Sequence, residues 1–121
     1  MILKQLFWWV PFGSVPEISP KELYAKLKNG EGPHMIDVRS PGEWRTSHIE
    51  GAVNVPVTSL KQALKNLKIP LERPVVTICL SAHRSIPAVR LLELVGYKDV
   101  RQLQGGMQAW WRDGLPVKEN A

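Results

Sequence analysis

With 121 residues and 44% hydrophobic content, the chain has the size of one compact domain and enough apolar side chains for one continuous core. Its net charge of +5 is spread along the sequence without a block or stripe, which argues against nucleic acid and leaves only a mild attraction for small anions. A single cysteine, Cys79, excludes an intrachain disulfide framework, so that thiol is either inert core or chemistry.

In chain order, residues 1–14 read as an apolar arm, 15–117 as the domain and 118–121 as a tail whose end, from Lys118, is expected to fray. Within Met1 to Phe12, Ile2, Leu3, Leu6, Phe7, Trp9 and Val10 recur at helical spacing until Pro11 breaks the pattern. The arm is too short to span a membrane and is followed by no clear signal-cleavage site, so a cytoplasmic location is expected. It either packs on its own domain or offers an adhesive surface, with Trp8 and Trp9 suited to a partner or a membrane interface.

Ser19-Pro20 with Glu22 predicts a helix start, capped by Ser19, with Leu23, Tyr24 and Leu27 facing inward and Gly30 and Gly32-Pro33 stopping it. Met35 to Val38 predicts a short buried strand, and Ser40-Pro41-Gly42-Glu43 repeats the cap-then-proline start of a helix. A β-rich run from Ala52 ends at Pro56, and Leu60, Leu64 and Leu67 predict another helix. Val75 to Leu80 is an almost continuous apolar run, as expected of a central parallel strand covered on both faces. Ser85 to Val95 predicts a helix stopped by Gly96, Val100 to Leu103 a strand, and Gly105-Gly106 a turn into a last helix carrying Met107, Ala109, Trp110 and Trp111. Strands alternating with helices imply an α/β fold with a mainly parallel sheet covered on both faces. Ligands of such sheets sit beyond the carboxyl ends of the strands, where Cys79 falls.

The segment Cys79-Leu80-Ser81-Ala82-His83-Arg84-Ser85 joins that strand to the next helix with so few residues that it must curl into a compact turn, with successive N–H groups pointing inward. Such a nest, reinforced by the positive end of the following helix, favours thiolate over thiol at Cys79 and welcomes an anion above it. Arg84 is expected to close the nest as an oxyanion fork, its alternative being a helix-start arginine paired with a surface carboxylate. Ser81 and Ser85 either donate to the sulfur or cap the helix. His83 is read as a loop residue at the substrate, since no third group orients it toward a cysteine–histidine dyad. His34, His48 and Cys79 lack any metal-ligand spacing, so no metal site is expected.

Three ordered motifs resemble the rhodanese family over Val15 to Val117. They are Ile36-Asp37-Val38-Arg39-Ser40-Pro41-Gly42-Glu43-Trp44 with His48 through Pro56, the loop Cys79 to Arg84, and Leu103-Gln104-Gly105-Gly106-Met107-Gln108-Ala109-Trp110. The resemblance implies a three-layer α/β/α fold with a five-stranded parallel sheet in the order 1-5-4-2-3. It also implies a sulfurtransferase that needs no cofactor, carrying sulfur as a persulfide on Cys79 from thiosulfate or a persulfide donor to cyanide, a thiol or a protein acceptor. Leu80, Ser81, Ala82, His83, Arg84 and Ser85 then line the substrate. Asp37 and Arg39 resemble a supporting pair at the base of the site, although Arg39 with Glu43 is an equally open structural ion pair. Trp44, Gly51, Asn54, Gly105 and Trp110 read as turn and core residues. Related dual-specificity cell-cycle phosphatases carry five residues between cysteine and arginine where this chain has four, which argues against phosphatase and arsenate-reductase readings. The rival to the enzyme is a rhodanese-like module that binds a partner protein without turnover.

Overall fold

The computed structural model describes residues 8–10 and 13–119. Five parallel strands form one sheet in the order β1-β5-β4-β2-β3: β1 Glu17–Ile18, β2 His34–Asp37, β3 Val53–Asn54, β4 Val75–Ile78 and β5 Val100–Leu103. The helices are α1 Pro20–Lys28, α2 Pro41–Thr46, α3 Val57–Ala63, α4 Ser85–Val95 and α5 Gly106–Arg112, with a 3-10 turn at Leu64–Asn66. The three-layer α/β/α architecture and the strand order agree with the expectation from sequence.

Local chemistry sets the helix starts that matter for the site. Ser19 Oγ accepts from the Glu22 N–H and caps α1, with Pro20 in the first turn where its missing N–H costs nothing. At α2, Ser40 and Glu43 form a reciprocal capping box, each side chain accepting from the other's backbone N–H. At the far end of α4, Gly96 adopts φ 119°, a left-handed cap that suits glycine.

Strand alternation divides the core. Val75 and Cys79 face α3 and α4 with Ile36, Val38 and Val100, whereas Val76 and Ile78 face α1 and α5 with Leu23, Met107 and Trp110. All four residues of β4 are buried, in keeping with a sequence that is apolar except at Thr77. Leu23 is fully buried, a contribution of about 1.5–3 kcal/mol that holds α1 to the sheet.

β1 carried no local signal; it is fixed by the Gln102 N–H to Pro16 O and Gln104 N–H to Ile18 O bonds from β5, at 2.9 Å each. The run from Ala52 yields only the two-residue strand β3, and α3 begins at Val57, directly after Pro56, rather than at Leu60. Lys118 does not fray: its backbone forms an antiparallel bridge with His48, with hydrogen bonds of 2.8 and 3.0 Å. In the arm, Trp8 packs against the α3–α4 half of the core and Arg90 Nη1 donates to Val10 O at 2.8 Å, so these residues lie on their own domain. The rest of the proposed arm helix, 1–7 and 11–12, falls outside the described residues, as do 120–121. Among the described residues no helix is long and apolar enough to cross a membrane.

Candidate active site

Cys79 follows β4 directly, continues its alternation toward α4, and is 1% exposed. The chain then turns through residues 80–84 and enters α4 at Ser85. Ala82 makes this turn with φ 78°, the one left-handed non-glycine residue among those described.

Hydrogen bonding gives the loop its polarity. The carbonyls of Cys79 and Leu80 accept from the Met107 and Gln108 N–H groups of α5, at 2.7 and 3.0 Å. They are thereby held toward α5. None of the six backbone N–H groups from Leu80 to Ser85 finds an acceptor among the described residues. These six donors without acceptors follow a buried thiol in sequence, and they are the groups from which the nest expected from sequence would be built.

Gly106 makes this possible. It sits at φ +59°, and a Cβ there would stand 2.6 Å from the Leu80 carbonyl carbon and closer still to the Cys79 and Leu80 carbonyl oxygens. Read from sequence as part of a turn, Gly105-Gly106 brings the start of α5 against the reactive loop. Met107 and Gln108 contribute only backbone, so their side-chain identities gave no hint; the paired glycines before a helix were the available signal.

Arg84 pairs with a resident carboxylate, the alternative the sequence left open for it. Nη1 and Nη2 donate to Glu43 Oε1 and Oε2 at 2.7 and 2.9 Å, a bidentate pair between the loop and the first turn of α2. The Arg84 fork holds the Glu43 carboxyl down to about 2, with the Ser40 backbone and side chain adding to the effect. In return Arg84 is raised above its ordinary value, first by this hydrogen bond and then by the charges of Glu43, Cys79 and Asp37. The guanidinium thus stands within electrostatic reach of Cys79 while one N–H of each terminal nitrogen is engaged by Glu43. Glu43, read as a capping residue, was missed as a partner of the loop because it lies 41 positions away.

The remaining site residues divide by role. Arg39 pairs with Asp37, not Glu43: Nε donates to Oδ1 at 3.0 Å, Nη2 to Oδ2 at 2.8 Å, and Nη2 also to Ser47 O at 2.7 Å. Both side chains are buried, and Asn54 Nδ2 ties the same turn by donating to the Asp37 and Arg39 carbonyls. Proximity decides between the partners, because Glu43 is already used by Arg84 and Ser40. Ser81 Oγ and His83 Nδ1 share a 3.0 Å hydrogen bond at the rim, and His83 is exposed. Ser85 is the first residue of α4 rather than its cap, and its buried hydroxyl has no partner among the described residues. Trp44 Nε1 donates to Ala52 O and Trp110 Nε1 to Pro116 O, consistent with supporting roles. Among the described residues no cluster of histidine, cysteine and carboxylates is placed to hold a metal.

Residues 19–113 match the family model for the rhodanese-like domain. The chain belongs to the rhodanese-like domain family. This rhodanese-like domain is 35% identical over 103 residues to a sulfurtransferase of Allochromatium vinosum, covering 85% of this chain and 94% of that protein. It is also 35% identical over 99 residues to the probable adenylyltransferase/sulfurtransferase MoeZ of Mycobacterium tuberculosis, covering 82% of this chain but 25% of MoeZ, so it spans about a quarter of that protein's length. Among solved structures, a rhodanese-related protein of Thermoplasma volcanium superposes with a TM-score of 0.76 at 29% identity, covering 86% of this chain and 98% of that one. The human single-domain sulfurtransferase TSTD1 gives 0.71 at 31% identity, with 82% and 97% covered. Sulfurtransferases are thus relatives of this rhodanese-like domain both as single domains and as parts of longer proteins.

Proposed function

We propose that the protein is a sulfurtransferase that carries one sulfane sulfur on Cys79. The observation that carries this reading is the buried thiol followed by six consecutive N–H groups without acceptors among the described residues. In the first half-reaction the Cys79 thiolate attacks the outer sulfur of thiosulfate, the S–S bond breaks, and sulfite leaves with the bonding pair. The persulfide that remains lies where the loop donors from Leu80 to Ser85 can hold its terminal sulfur as an anion. In the second, cyanide or an acceptor thiolate attacks that outer sulfur and Cys79 leaves as thiolate, so the protein returns unchanged. A protein persulfide as donor and a protein thiol as acceptor fit the same chemistry.

The residues around the loop prepare it rather than react. α5 engages the Cys79 and Leu80 carbonyls, and the Arg84–Glu43 pair ties the loop's end to α2. The buried Asp37–Arg39 pair holds the turn after β2 in shape. Loop amides that need no reorganisation during the reaction are the efficient way to stabilise charge on sulfur.

Thiocyanate production from thiosulfate and cyanide tests the proposal. Turnover by the native protein and none by Cys79→Ser is the expected result. Absence of turnover with any sulfane donor, in a protein shown to be folded, transfers the site to the partner-binding reading.

A further inference from the structure

A second surface lies at the outer edge of the sheet. A groove of about 360 Å³ runs beside β3, floored by Val53, Val55, Leu67 and Ile69 and rimmed by Lys68 and Arg73. None of the residues 79–85 lines it. Val53 is 59% exposed, the highest value among the large hydrophobic residues at the surface of the described residues. The Val55 N–H bonds inward to Asp37 O, so by strand alternation the backbone N–H and C=O of Asn54, one residue earlier, face outward. The edge therefore offers apolar side-chain contacts and an unpaired backbone step together.

Charge narrows what fits there. Residues 61–73 contain Lys61, Lys65, Lys68 and Arg73 against the single carboxylate of Glu72. No ion pair among the described residues engages Lys68 or Arg73. Lysines beside a short edge strand can serve merely to repel a second edge. That role leaves the apolar floor between β3 and Leu67–Ile69 unexplained, since guarding an edge requires no open groove. We infer that the groove receives an extended segment of a partner protein in which acidic and apolar residues alternate, laid alongside β3. Alternate side chains would enter the apolar floor, Asn54 would supply backbone hydrogen bonds, and the acidic residues would meet Lys68 and Arg73.

The inference is independent of the sulfur chemistry and can fail separately from it. The probe is an acetylated heptapeptide of alternating aspartate and valine, titrated into the ¹⁵N-labelled full chain, with a lysine–valine peptide as its counterpart. The expected result is saturable shifts centred on the amides of Val53, Asn54, Val55 and Leu67–Ile69, for the acidic peptide only. Lys68→Glu with Arg73→Glu should weaken binding by at least about tenfold while leaving sulfur loading of Cys79 unchanged. Should that double variant fail to fold, Val53→Asp, a change at an exposed position, should produce the same weakening. No saturable shift, equal binding of the lysine peptide, shifts centred on Cys79 to Ser85, or unaltered binding to the folded variants would each overturn the inference.

Discussion

Gly106→Ala should damage the reactive loop without touching the thiol. The new Cβ would be driven into the Cys79 and Leu80 carbonyls, the nearest carbon being 2.6 Å away, at a φ of +59°. Relief requires α5 and the loop to part, weakening the Met107 N–H to Cys79 O and Gln108 N–H to Leu80 O bonds of 2.7 and 3.0 Å. Each such bond contributes about 0.5–1.5 kcal/mol, and a side chain in the left-handed region costs about 1–2 kcal/mol. The expected destabilisation is about 2–5 kcal/mol, a large part of the total stability of a domain this size. Urea unfolding at equilibrium measures it, and the rate at which thiosulfate loads sulfur on Cys79 measures the loss of loop geometry in the molecules that remain folded. An unchanged urea midpoint with unchanged loading would refute the claim that α5 holds the loop.

Arg84→Ala should slow sulfur transfer from thiosulfate and from a neutral sulfane donor by similar factors, since the Arg84 charge is paired with Glu43; selective loss with thiosulfate in steady-state kinetics would assign Arg84 to the nest. Asp37→Asn leaves a buried guanidinium without its counter-charge and should cost about 3–5 kcal/mol, read from thermal or urea unfolding. Glu43 has its folded pKa depressed from 4.5 to about 2, so its pairing with Arg84 contributes stability that is fully present above pH 4.5 and lost as pH falls toward 2. The difference in urea midpoint between the native protein and Glu43→Gln should therefore shrink across that window, and a difference undiminished between pH 5 and pH 2 would contradict the pairing.

Features encoded within a few residues were legible in the sequence. Ser19-Pro20 and Ser40-Pro41-Gly42-Glu43 carry their caps locally, and α4 and β5 lie where Ser85 to Val95 and Val100 to Leu103 placed them. Cys79 at the end of a buried strand, followed by a tight turn, was equally readable. Features set by distant partners were not. β1 exists because β5 offers it hydrogen bonds, and Lys118 is ordered because His48 lies opposite it. Arg84 has two kinds of partner open to a cation at a helix start, an incoming anion or a resident carboxylate, and only the packing of α2 against the loop selects Glu43. The role of Gly106 likewise depends on how close α5 comes to Cys79, a distance no sequence pattern states.

The central claim, a persulfide on Cys79 held by the loop amides, is tested most directly by the intact mass of the reduced protein after exposure to thiosulfate. The native chain should gain the mass of one sulfur atom, lose it on addition of cyanide, and show neither change as Cys79→Ala. A folded native protein whose mass stays constant through a series of sulfane donors would contradict the claim.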